Sequence, residues 1–223
     1  MRPGSRIFAA IAVLLPSAVL CAQTTSAAID PPPTLAASTL PPAATTHTFH
    51  DPNDHLSFDY PATWTFAHTD HEISTFHLDA RSAPRAASLR AVAAMPENPF
   101  PASTFSGAYV YFSVTPHSSA ASCAKQAAPP ANSTHKLPAK PTATHINDIP
   151  FTHGHDEQKD ICIIQRDEIY TAYHRGACYR FDLTINNFCG GEVSGVKDIT
   201  PSELDQVRTR LEAILSTVRF DTK

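Results

Sequence analysis

Beyond its first twenty-two residues this sequence has no apolar run close to the roughly twenty residues that a membrane-spanning helix requires. It has no basic excess either, because 17 Lys and Arg stand against 21 Asp and Glu. That balance argues against nucleic acid or an anionic lipid surface as a partner. Glycine is scarce, seven residues in 223, and Gly190-Gly191 and Gly195 lack the surroundings of a phosphate-cradling loop. No serine stands in a Gly-x-Ser-x-Gly context. No residue set amounts to a catalytic machine, so the chain reads as a protein that is not an enzyme.

What is present begins at the N-terminus. Arg2 and Arg6 precede an apolar run from Ile7 to Leu20 that contains Pro16, and Leu20-Cys21-Ala22 supplies a cleavable end. This is the pattern of a secretory signal peptide over 1–22, placing the mature chain in the periplasm or outside the cell. Ala18-Val19-Leu20-Cys21 also resembles a lipobox, which leaves lipid anchoring at Cys21 as an alternative, although Leu20 is not the small residue such a site normally carries. Cleavage removes two arginines and no acid, shifting the net charge from −4 to −6. Residues 23–46 are Ala, Thr, Ser and Pro with almost no charge, including Pro31-Pro32-Pro33 and Pro41-Pro42. They read as an extended tether, a spacer or an attachment stalk, ahead of a single α+β domain over 47–221.

Within the domain, Asp51-Pro52-Asn53-Asp54 is a run of turn formers followed by the alternating Leu56-Ser57-Phe58-Asp59-Tyr60, which predicts a β-hairpin. Further strands are expected over Ser74–Leu78, Ala87–Met95 and Ala108–Thr115, the last apolar on both faces and therefore central. Ser118–Ala128 reads as a short helix carrying Cys123, ended by Pro129-Pro130, with a polar loop over 131–144. Ile161–Tyr173 and Cys178–Asn187 form two long β-type runs around His174-Arg175-Gly176-Ala177. Thr200-Pro201-Ser202-Glu203 has the form of a capping box, and Leu204, Val207, Leu211 and Ile214 follow at helical spacing, so a helix is expected over 201–216 with a short closing strand after it.

Export makes the four cysteines after residue 22 candidates for two disulfides. Along an extended strand Cys178 and Cys189 lie more than about 25 Å apart, whereas a disulfide needs Cα atoms within about 7 Å. Closing the hairpin around 174–177 puts Tyr173 opposite Cys178 and, by the same register, Cys162 opposite Cys189. The expected bridges are therefore Cys162–Cys189 and Cys123–Cys178, with a buried free Cys178 as the alternative. Parity puts Tyr179, Phe181, Leu183 and Ile185 on one face, beneath the C-terminal helix. It puts Cys178, Arg180, Asp182 and Thr184 on the other, beneath the Cys123 helix.

Two constellations could carry chemistry. In an extended chain His153 and His155 project to the same side and could chelate a divalent transition metal such as zinc, copper or nickel; the plainer reading is a polar turn in a histidine-rich protein. At the hairpin centre Asp167, Arg180 and Asp182 share a face, as a salt-bridge network or as a ligand or partner patch. Arg166 and Glu168 fall on the apolar face, where they are expected to pair with each other at the core edge unless the strand is irregular there.

The stretch Leu56-Ser57-Phe58-Asp59-Tyr60-Pro61-Ala62-Thr63-Trp64 resembles the opening hairpin of the PsbP-like fold group. Gly176-Ala177-Cys178-Tyr179-Arg180-Phe181 and Ile214-Leu215-Ser216-Thr217-Val218-Arg219-Phe220 look like its long hairpin and its closing helix and strand. The resemblance implies an antiparallel β-sheet packed between helices and a protein that binds other macromolecules, without a shared catalytic site. Cys162, Cys189 and the proline-rich tether depart from the cytosolic and photosynthetic members, so their partners are not carried over. The expectation is a non-catalytic binding or assembly module with a protein partner in the cell envelope; the alternative is a metal-binding envelope protein using His153 and His155.

Overall fold

The computed structural model describes residues 45–69, 73, 84, 86–96, 98–128, 140–160, 162–188, 190 and 195–221. The expected signal peptide, nearly all of the tether, the Ser74–Leu78 strand, Pro129-Pro130 and Cys189 lie outside these residues. What is described falls within one compact unit, Thr39–Lys223.

The turn formers after Asp51 act as their chemistry requires. The Asp51 carboxylate accepts from the backbone N–H of Asn53 at 2.9 Å and of Asp54 at 3.3 Å, and His55 takes a left-handed φ of 52°. The chain thus reverses between β1 (Thr46–Asp51) and β2 (Leu56–Pro61), which pair antiparallel. These strands do not extend the main sheet. They form a three-stranded sheet with the closing strand, in the order β1-β2-β10, where β10 is Arg219–Phe220.

The seven-stranded sheet runs β3 (Thr65–Ala67), β4 (Ser88–Ala94), β5 (Phe105–Thr115), β9 (Ala177–Phe188), β8 (Ile163–His174), β7 (Ile149–Asp160) and β6 (Thr142–Ile146), antiparallel throughout. The β8–β9 hairpin has the expected register, with Tyr173 opposite Cys178, Thr171 opposite Arg180 and Asp167 opposite Thr184. Its turn is Arg175-Gly176, both at positive φ (46° and 81°), as a two-residue hairpin requires.

The polar loop expected over 131–144 gives way at Thr142 to β6, and β7 is a strand of twelve residues. Their connection is Asn147-Asp148, again with both φ values positive (48° and 63°). The Asn147 side chain then docks the turn by donating to the carbonyls of Ser216 and Val218.

Parity sorts the main sheet into two faces. On the first, Val110, Phe112, Tyr179, Phe181, Leu183, Ile185, Phe151 and Tyr170 join one buried core with Phe49, Leu56 and Phe58 of the small sheet and Val207, Leu211, Ile214 and Leu215 of helix α2 (Pro201–Leu215). Rings interlock there: Phe112 stacks on Phe181 at 4.9 Å between centroids, and Phe58 meets Phe181 edge-on at 5.9 Å. The expected capping box is present at Thr200 and Glu203. On the second face, helix α1 (Ala120–Lys125), capped by the Ser119 hydroxyl, is tied to the sheet by a Cys123–Cys178 disulfide with Cα atoms 5.2 Å apart. Just after α1 the Ala127 carbonyl presses on Gly154, where a Cβ would lie 1.8 Å from its oxygen.

Candidate functional site

The His153–His155 strand is β7, and its first-face residues meet Glu168 on β8. His155 lies directly opposite Glu168 in the register. One carboxylate takes both rings: His153 Nε2 is 2.8 Å from Glu168 Oε2 and His155 Nδ1 is 3.1 Å from Oε1. From α2, Arg208 Nε reaches Glu168 Oε1 at 3.5 Å. The His153 ring stacks on Tyr170 with centroids 4.3 Å apart. A partly exposed hub thus joins β7, β8 and the C-terminal helix.

Its electrostatics follow from its partners. Burial alone would raise the Glu168 pKa, but the hydrogen bonds and charges of His153 and His155 outweigh it and hold the value at about 2. The same hydrogen bond raises His155 above its ordinary range, against the opposing effect of burial. Tyr170 is pushed up by burial, with Glu212 and Glu168 adding to the effect.

The histidine pair is divided between the two oxygens of one carboxylate, and among the described residues no group of three or more His, Cys, Asp or Glu is placed to hold a metal ion. Arg166 and Glu168, expected to pair with each other at the core edge, do not. They sit two apart on one strand, and each reaches outward instead: Arg166 to Glu157 on β7 (3.0 Å) and to the Asn187 side chain on β9, Glu168 to the histidines and Arg208.

The second face carries the other constellation. Asp167, Arg180 and Asp182 share it and are all buried. The Arg180 guanidinium, 1% exposed, grips the Asp182 carboxylate through Nε at 3.0 Å and Nη2 at 2.6 Å, and Nη1 donates to the Gln126 carbonyl at 2.6 Å just beyond α1. Asp167 accepts from Gln165 Nε2 at 2.9 Å and from the Thr184 hydroxyl at 2.5 Å. A charge pair so deeply buried survives only with such geometry around it.

Cys162, at the start of β8, is disulfide-bonded, and its expected partner Cys189 lies outside the described residues. Two large apolar side chains are exposed among the described residues, Tyr173 at 43% and Phe188 at 49%. Both point to the second face, at opposite ends of the β8–β9 hairpin, and no spacing rule applied to the sequence singled them out.

No family model matches this sequence, and no curated protein matches it. Solved structures do resemble it. The cyanobacterial PsbP of Synechocystis shares 12% identity at a TM-score of 0.46, over 80% of this chain and 94% of that one. The Ran-binding protein Mog1p of Saccharomyces cerevisiae shares 8% at 0.44, over 79% and 95%. A protein of Bacteroides thetaiotaomicron shares 10% at 0.42, over 79% of this chain but 48% of its own, so the chain spans about half of that protein. At these identities the likeness reaches no site. No helix among the described residues is long and apolar enough to cross a membrane.

Proposed function

We propose that this chain is an exported, non-catalytic binding or assembly module of the cell envelope, and that it holds a protein partner through the ends of the β8–β9 hairpin. The observation that carries the reading is the exposure of Tyr173 and Phe188, at 43% and 49%, in a domain that buries Phe49, Phe58, Phe100, Phe105, Phe112, Phe151 and Phe181. Aromatic side chains at a surface supply large contact area at little entropic cost, and they are enriched at interface centres. The Cys123–Cys178 bridge suits an oxidising compartment, as does the N-terminal pattern of basic residues and apolar run.

The test is crosslinking of the full chain in the envelope of its own host, with recovered proteins quantified for the natural chain and for Tyr173→Ala combined with Phe188→Ala. One stoichiometric partner, lost in the double variant while the disulfide and unfolding midpoint are retained, is expected. A partner that survives both substitutions, or none at all, overturns the reading.

A further inference from the structure

Several polar side chains of the second face follow a repeating local scheme that Asn186 does not join. On β7, Gln158 Nε2 donates to Asp156 at 3.2 Å; on β8, Gln165 Nε2 donates to Asp167 at 2.9 Å; on β9, Arg180 donates to Asp182. In each case an amide or guanidinium reaches a carboxylate two residues along its own strand, which is the next side chain on that face. The register lines up Gln158, Gln165 and Asn186 across three strands. Asn186 has no carboxylate two residues away. Thr184 stands there, and its hydroxyl is already given to Asp167.

Asn186 is 1% exposed, and neither its Oδ1 nor its Nδ2 has a hydrogen-bond partner among the described residues. A carboxamide with both ends buried and unmet is a costly arrangement that native proteins resolve with an internal solvent molecule. The neighbour on the other side supports this. Asn186 faces Gly107 on β5, next to the irregularity in that strand between Phe105 and Gly107. Gly107 carries no side chain, and the Tyr109 hydroxyl lies 2.6 Å from where a Cβ would stand. A polar group thus overlies the glycine opposite the unmet amide.

We propose that the corner formed by Gly107, Tyr109 and Asn186 is an internal binding site for a small neutral hydrogen-bonding molecule, water, held between the Asn186 amide and the Tyr109 hydroxyl. The Tyr109 phenol accounts for glycine at 107, since a side chain there would meet it, and it brings the hydroxyl to this corner. The proposed site accounts for an asparagine at the end of a row whose other members, Gln158 and Gln165, find protein partners.

The experiment is a high-resolution crystal structure of the oxidised full chain, with water–protein cross-relaxation measured by NMR in solution. An ordered solvent molecule about 3 Å from both the Asn186 amide and the Tyr109 hydroxyl, with a long-lived cross-peak, is the expected result. An Asn186 amide bonded directly to protein groups with no solvent between overturns the proposal. Tyr109→Phe should lose the cross-peak or speed its exchange, and Asn186→Leu should lose it altogether; a cross-peak unchanged in both variants also overturns the site. Should Asn186→Leu fail to fold, the natural chain and Tyr109→Phe decide the matter.

Discussion

The two faces of the seven-stranded sheet are built from the same strands and are buried to a similar depth, yet they are held by different forces. Alternate residues of β9 read Tyr179, Phe181, Leu183 and Ile185 on one side, and Arg180, Asp182, Thr184 and Asn186 on the other. The first side packs rings and aliphatic chains against α2 and the small sheet, which rewards any well-fitting apolar surface. The second side sets a small apolar cluster of Val92, Ala94, Tyr109 and Tyr111 beside directed bonds, whose value depends on every partner being present. One face therefore depends on fit, and the other on keeping each bonded partner.

Single substitutions should break both faces about equally, and a double substitution should separate them. Phe181→Ala is expected to cost about 3–5 kcal/mol through the cavity it leaves. Asp182→Ala should cost about as much, because it takes from a buried guanidinium the carboxylate it grips. Replacing the pair together, Arg180→Met with Asp182→Leu, should recover most of that loss, within about 2 kcal/mol of the natural chain. Denaturant unfolding reads all three, and a double variant no better than Asp182→Ala would mean that the second face cannot be made apolar.

Next in size is the tie between α1 and the sheet. Cys123→Ser with Cys178→Ser should lower stability by about 2–4 kcal/mol, with no change in the titration behaviour of the Glu168 hub. Gly154→Ala follows, at about 1–3 kcal/mol, because the new methyl meets the Ala127 carbonyl at 1.8 Å. Loss of α1 protection in amide exchange would locate the damage at that contact.

The pH dependence sharpens the comparison from the first face. His155 has its folded pKa raised above the ordinary 6.5, so its contribution is complete below that value and fades as pH climbs through the folded one. Glu168 runs the opposite way. Its folded value of about 2 lies below the ordinary 4.5, so its contribution is present above 4.5 and is lost as pH falls towards 2. The hub is therefore strongest between 4.5 and 6.5, and Glu168→Gln should flatten the stability profile on both sides of that window. A profile unchanged by Glu168→Gln would remove the hub from the stability of the domain. The smallest stability effect is expected at Tyr173→Ala and Phe188→Ala, within about 0.5 kcal/mol, even as the partner is lost; a larger drop would reassign these side chains to the fold.

Much of the architecture was legible because it rests on local chemistry. The capping box at Thr200, the Asp51 turn and the two-sided apolar run of β5 each state their element within a few residues. The β8–β9 register was legible too, since a turn centred on Arg175-Gly176 pairs Tyr173 with Cys178 and fixes every pair beyond it. The β6–β7 hairpin was not. Its Asn147-Asp148 turn is a valid signal, but β7 carries histidines, charges and Gly154 where strand formers are expected, and sheet pairing overrides that weak propensity. The chain reversal before β8 was obscured likewise, because Cys162 takes the left-handed conformation that glycine or asparagine would have announced.

The amino-acid sequence by itself determined the α+β class, the long hairpin and its register, the C-terminal helix and the grouping of Asp167, Arg180 and Asp182 on one face. Each of these follows from periodicity and turn chemistry acting over a few residues. Only the tertiary structure decided that β10 closes a separate sheet on β2, that Glu168 takes both histidines, and that Tyr173 and Phe188 stay exposed. Those outcomes depend on which surfaces meet across long stretches of chain, where neither spacing nor propensity carries information.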